Sequence, residues 1–231
     1  MASYNRFSLG EVYHCYNRGV DKRITFENRS DYQRFIQLLY ICNNEKLIQR
    51  SSLYKLNHVD VFSLPKSKQI VSIGAYSLMP NHFHLLLQET REGGISLFMS
   101  RLGNSYTKYF NIKNKRNGNL FVKPFHSKHI KTDQHFSHIV QYIHINPAEL
   151  SEPRLKEGLV SDVVRLENSL KNYPHSSLPD YYNIDRPEKT ILDKNFTKLL
   201  SEDLQPLLNT LKDSMEYYSD FDPSGQETRL F

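Results

Sequence analysis

The sequence predicts an α+β fold, an antiparallel sheet with helices packed mainly on one face, and three observations carry that expectation. Short alternating or continuously apolar segments, such as Val12–Tyr16, Gln69–Leu78 and His82–Gln88, read as strands. Longer segments beginning near Ser30 and Gly94 repeat their apolar residues with the rhythm of an amphipathic helix. The two kinds follow one another as strand, helix, strand, strand, helix, strand, helix, which suits a sandwich of ferredoxin-like type.

The first strand, Val12-Tyr13-His14-Cys15-Tyr16, ends at the turn signal Asn17-Arg18-Gly19. Ser30 is the expected N-cap of a helix in which Tyr32, Phe35, Ile36, Leu38, Leu39 and Cys42 recur at helical spacing, ending near Asn43-Asn44. Residues 45–68 have no clean period and read as an irregular insert. Gln69–Leu78 and His82–Gln88 follow as strands, and Met79-Pro80-Asn81 is short enough to join antiparallel neighbours. Both histidines of His82-Phe83-His84 therefore sit on a strand.

Gly93-Gly94 opens a helix carrying Ile95, Phe98, Met99, Leu102, Tyr106, Tyr109 and Phe110, which breaks at Asn114–Asn119. A fourth strand is expected around Leu120–Lys131. Thr132 or Asp133 then caps a helix bearing Phe136, Ile139, Val140, Tyr142, Ile143 and Ile145, ended or bent by Pro147. Residues 1–150 are thus expected to form the principal domain and residues 151–231 a helical, acidic extension. Its last stretch, Ser201–Phe231, holds seven acids against Lys212 and Arg229 and reads as a loose tail.

A chain of 231 residues buries a core comfortably, and 39% hydrophobic residues is ordinary for a globular protein. It has no apolar run near the ~20 residues of a membrane helix and no basic-then-apolar secretory start, so a cytoplasmic location is expected. Cys15 and Cys42 are only two and lack C-x-x-C spacing, so neither a cysteine zinc site nor a disulfide framework is supported. Both are expected to be reduced and buried.

Charge is unevenly placed. From Gly93 to Thr132 there is no acid, while Arg101, Lys108, Lys113, Lys115, Arg116, Lys123, Lys128 and Lys131 give that stretch +8 against +5 for the whole chain, leaving −3 elsewhere. Such a segment suits a polyanion. Interleaved Tyr106, Tyr109, Phe110, Phe121 and Phe125 offer rings for unpaired bases or for the core.

Strand alternation points His82 and His84 to one face, where two neutral imidazoles suit a divalent cation. Two ligands are too few, and a lone H-x-H is equally a pair of structural histidines. Tyr142 and Asn146, four residues apart, share a helix face, so a phenol and an amide oxygen can approach one ion or one phosphate. Tyr142 would then act as a covalent nucleophile on phosphorus, or else serve the core with its hydroxyl at the surface.

Asn17-Arg18-Gly19, Leu78-Met79-Pro80-Asn81-His82-Phe83-His84-Leu85-Leu86-Leu87, Tyr142-Ile143-His144-Ile145-Asn146-Pro147 and Tyr173-Pro174-His175-Ser176-Ser177 together resemble the single-tyrosine HUH transposases, the REP-associated tyrosine transposases and IS200-like transposases among them. The likeness spans roughly residues 8–182. It implies the HUH nuclease fold, Mg2+ or Mn2+ held by His82 and His84, and a 5′-phosphotyrosine link from Tyr142 to single-stranded hairpin DNA. Asn146 falls where relatives have a glutamine that completes the metal site, and His175 where many have tryptophan. By this reading Lys113, Lys115, Arg116, Lys123 and Lys128, with Arg101, Lys108 and Lys131, hold the DNA backbone, and Arg18 lies near the site. Monomer and homodimer both remain open. Two other readings compete: a hairpin-binding regulatory protein without chemistry, and a metal-dependent phosphodiesterase that uses water.

Overall fold

The computed structural model of the chain describes residues 7–46, 56–152, 154–155 and 160–202. Most of the acidic tail, and residues 47–55 of the insert, lie outside them. Four strands, β1 (Val12–Arg18), β2 (Val71–Met79), β3 (His82–Glu89) and β4 (His126–Ile130), form one sheet in the order β2-β3-β1-β4, every neighbouring pair antiparallel. Helix α1 (Arg29–Cys42) links β1 to β2, and α2 (Gly94–Lys113) links β3 to β4. Each linked pair straddles a third strand, which is the β-α-β-β-α-β arrangement of ferredoxin-like folds. Helix α3 (Asp133–Ile145) follows β4, and α4 (Val163–Lys171), α5 (Leu178–Tyr181) and α6 (Lys194–Glu202) belong to the extension.

Alternation along the strands sorts the sheet into two faces. Tyr13, Cys15, Ile73, Tyr76, Leu78, Phe83, Leu85 and Leu87 meet α1 and α2 in the larger core, with Phe35, Leu39, Phe98, Leu102 and Tyr106 opposite them. The two longest helices thus share one face, as the element order predicts. On the other face Phe136, Ile139, Val140 and Ile143 of α3 pack on Ala75, Leu86 and Ile130, joined by Phe196 of α6. The apolar cover stops there, so the part of this face around His84 and His82 is polar.

One helix start, that of α1, is built differently from the sequence expectation, while α2 opens at Gly93-Gly94 and Thr132 caps α3 as expected. Asn28, not Ser30, caps α1, its side chain accepting the Asp31 N–H at 3.2 Å while the Asp31 carboxylate accepts the Glu27 N–H at 2.9 Å. Ser30 already lies inside the first turn. At α2, the buried carboxylate of Glu89 accepts the N–H groups of Gly94 (3.1 Å) and Ile95 (2.7 Å), a negative charge on a helix N-terminus. Thr132 caps α3, accepting from the His135 N–H at 3.1 Å.

β4 is shorter than the expected Leu120–Lys131. Phe121 makes only an isolated bridge to Gly19, the Val122 carbonyl is taken by the Asn17 side chain, and Pro124 has no N–H to give a ladder. Tyr173-Pro174-His175-Ser176-Ser177 runs beside the outer edge of β2. The Leu78 N–H donates to the His175 carbonyl, the Ser177 N–H to the Tyr76 carbonyl, and the Tyr173 hydroxyl to the Leu78 carbonyl at 2.8 Å. This motif closes a sheet edge that would otherwise be open to pairing. Both cysteines are free and buried.

Candidate active site

Register brings the polar residues of the α3-side face together. Tyr16 lies opposite His84 and Arg18 opposite His82, while on the other side of β1 His14 faces Lys128 and Tyr16 faces His126. His82, His84, His14, Tyr16, Arg18, His126 and Lys128 therefore project from the same side of the sheet. Helix α3 lies on that side, its last turn supplying Tyr142 and its C-cap position Asn146.

His82 is held at both ring nitrogens. Its Nδ1 lies 2.7 Å from Asn81 Oδ1, and the Asn81 amide is oriented by its own Nδ2 donating to the Lys22 carbonyl at 3.2 Å. Nδ1 therefore carries a proton, and in the neutral ring this leaves a lone pair on Nε2. That nitrogen faces Asn146 Oδ1 at 3.2 Å. Two acceptors at this distance repel unless a positive group sits with them.

His84 repeats the pattern. Its Nδ1 lies 2.9 Å from His14 Nε2, and its Nε2 is buried without a hydrogen-bond partner. The His82 and His84 rings are 5.0 Å apart at a right angle. Burial, followed by the positive charges around it, holds His84 well below its usual range, and burial with nearby Lys128 lowers His14 to about 3. Both rings are neutral at physiological pH. The Tyr142 ring stands edge-on to His84 with centroids 5.3 Å apart, and 5.9 Å from His14.

With Nδ1 protonated on both rings, the Nε2 atoms of His82 and His84 would offer two lone pairs that, with the Asn146 amide oxygen, fit a divalent cation. Among the described residues no group of three or more His, Cys, Asp or Glu side chains could hold a metal. Any third protein donor beside His82 and His84 is consequently of another type, and Asn146 is the amide in place.

His144 turns away from this face, as its spacing predicts. Its Nε2 lies 2.8 Å from Ser177 Oγ, which also accepts the Tyr76 N–H at 2.9 Å, and burial lowers the ring to about 3. Tyr106 and Tyr109 lie behind the sheet, donating to the Thr25 carbonyl and to Asp31. The basic residues divide. Arg18 and Lys128 flank the histidines, whereas Arg101, Lys108 and Lys113 belong to α2 in the opposite layer, with Lys115 and Arg116 just past its end. Arg101 donates to the Asn44 carbonyl at 2.7 Å, and Lys113 is paired with Asp31 and Glu27 at 2.7 and 2.9 Å. Arg116 binds the Asn111 side chain and the Asn119 carbonyl. Lys108, Lys115, Lys123 and Lys131 are exposed.

Sequence reasoning gave His14 and Asn81 no role in the site. Asn81 was legible only as part of Met-Pro-Asn-His. The signal for His14 was the alternation of Val12, His14, Tyr16 and Arg18, which places it on one face with the Arg18 turn, but nothing in sequence announces its register against His84.

The fold and this constellation define an α+β protein with a histidine pair beneath a tyrosine-bearing helix. The family of transposases described as IS200-like matches residues 32–146, and the chain belongs to that family. A solved structure of a REP-associated tyrosine transposase bound to a REP hairpin aligns at 16% identity and a TM-score of 0.47, covering 81% of this chain and 90% of that one. No curated protein matches the chain. Among the described residues no helix is long and apolar enough to cross a membrane.

Proposed function

We propose that the chain is a metal-dependent single-stranded DNA endonuclease and strand transferase, cutting and rejoining at hairpin-forming repeats through a 5′-phosphotyrosine intermediate. The observation that carries this reading is the meeting, within one chain, of Tyr142 with His84 and of Asn146 Oδ1 with the His82 Nε2 lone pair. Family membership supports it, and the hairpin substrate is carried over from the likeness of the four sequence motifs to REP-associated transposases.

In this mechanism the Tyr142 hydroxyl oxygen attacks phosphorus and loses its proton to solvent. The bond from phosphorus to the 3′ oxygen breaks, that oxygen leaves with a proton as a 3′-hydroxyl, and the 5′-phosphate stays on Tyr142. Attack by a 3′-hydroxyl reverses the sequence and rejoins the strand without an external energy source. His82, His84 and Asn146 would hold Mg2+ or Mn2+, which when bound supplies positive charge to the non-bridging phosphate oxygens. Arg18 and Lys128 would neutralise the strand beside them. Because tyrosine and histidines come from one chain, a monomer would carry a complete set.

Denaturing electrophoresis tests the reading with labelled single-stranded hairpins from the sequence flanking the gene, in Mn2+. A covalent protein–DNA band is expected for the parent and for neither Tyr142→Phe nor His82→Ala. Cleavage without such a band means that water is the nucleophile, and tight binding with no cleavage means a regulatory hairpin-binding protein.

A further inference from the structure

We propose that His14 is a positioning residue for His84: it holds His84 in the Nδ1–H tautomer and so keeps the His84 Nε2 lone pair available to a divalent cation. The inference rests on the metal reading of His82 and His84. It begins from the 2.9 Å contact between His14 Nε2 and His84 Nδ1, in which one nitrogen must donate and the other accept.

The two possible arrangements have different consequences. If His14 donates, His84 Nδ1 is an acceptor and its proton sits on Nε2, where it blocks coordination. If His14 accepts, Nδ1 carries the proton and Nε2 is a ligand. Nε2 is buried with no acceptor beside it, so an N–H there would go unsatisfied, and on the metal reading a lone pair there is met by the cation. His14 Nε2 therefore accepts and its own proton sits on Nδ1.

His82 obeys the same rule with a different partner, since Asn81 Oδ1 fixes its proton on Nδ1. The two ligands thus take their tautomers from an amide on the preceding turn and an imidazole on the neighbouring strand. β1 delivers His14 because the antiparallel register sets it one same-face position along from the Tyr16–His84 pair. Partners of this kind orient metal-bound imidazoles, and their removal weakens metal binding by about 10- to 100-fold.

Calorimetric titration of the full chain with Mn2+ alone tests the proposal without recourse to activity. His14→Leu is expected to bind about 10-fold more weakly or worse at an unchanged melting temperature. His14→Gln, whose side-chain oxygen can accept from His84 Nδ1, is expected to stay near the parent. A parent that binds no Mn2+ overturns the metal reading and this role with it. A parent whose binding is abolished in His82→Ala but kept in folded His14→Leu overturns the His14 assignment alone. Should His14→Leu fail to fold, nitrogen NMR of the parent's histidines decides: an Nδ1–H tautomer at His84 supports the assignment, and an Nε2–H tautomer overturns it.

Discussion

His175 stands where the edge motif meets α1, its ring stacked on Tyr32 with centroids 3.9 Å apart and planes 13° from parallel. Burial, reinforced by the charge of Arg29, lowers its pKa from the ordinary 6.5 to about 4. The unfolded chain therefore takes up this proton at a higher pH than the folded one. The stability associated with neutral His175 is complete above about pH 6.5 and is lost as pH falls towards about 4. His175→Phe preserves the stack and removes the proton. Urea unfolding at pH 7 and pH 5 should show a smaller loss on acidification in the variant than in the parent, and an equal loss would contradict this account. Gly19 makes a second point at this scale. A Cβ there would stand 2.4 Å from the Arg23 carbonyl oxygen, so Gly19→Ala should destabilise the chain by about 1–3 kcal/mol, read as a lowered melting temperature.

Elements were legible where a period ran uninterrupted. The 3.6-residue rhythm marks α1, α2 and α3 because each buries one face, and β2 and β3 show as apolar runs because both are covered. β4 was less legible. His126-Ser127-Lys128-His129-Ile130 has one fully buried residue, so composition gives its ends no mark. The cap at α2 was also hidden, since the Glu89 carboxylate belongs to the end of β3 and folds forward over the Arg91–Gly93 turn to reach the Gly94 and Ile95 N–H groups. The histidine pair and the tyrosine turn were readable because each lies within one short motif, whereas His14 is 70 residues from the ring it touches. Lys113 shows what charge counting misses. It pairs with Asp31, a fully buried carboxylate that also accepts from Tyr109 at 2.9 Å, so the last turn of α2 is tied to the first turn of α1. Lys113→Ala should lower unfolding stability by about 1–3 kcal/mol by leaving that acceptor short of a donor. Lys108→Ala, on the exposed side of the same helix, should change it by less than about 0.5 kcal/mol. Urea denaturation of both variants measures the contrast, and equal effects would return Lys113 to the solvated basic surface.

Across the whole molecule the acid-free segment serves two layers. Helix α2 carries its lysines behind the sheet, and β4 carries Lys128 in front of it, with Arg18 on β1 alongside the histidines. The two are joined at one end of the sheet. After α2 the chain returns to β1, where the Val20 N–H donates to the Leu120 carbonyl and the Val122 N–H to the Arg18 carbonyl. Lys115 and Arg116 lie on the path between the layers. A hairpin engaged at both would place its single-stranded foot near Arg18 and Lys128 and its stem around the sheet end towards Lys115 and Lys108. Removing one phosphate-binding side chain should then reduce the slope of log affinity against log salt by about 0.7 for a single strand and about 0.9 for a duplex. Arg18→Ala with Lys128→Ala should reduce the slope for both a hairpin and its isolated single-stranded foot. Lys108→Ala with Lys115→Ala should reduce it for the hairpin and leave the isolated foot unchanged. Fluorescence anisotropy across a salt series separates these cases. An unchanged hairpin slope in the second pair would confine the DNA to the histidine face, and a hairpin affinity in the parent that ignores salt would remove the basic segment from recognition altogether.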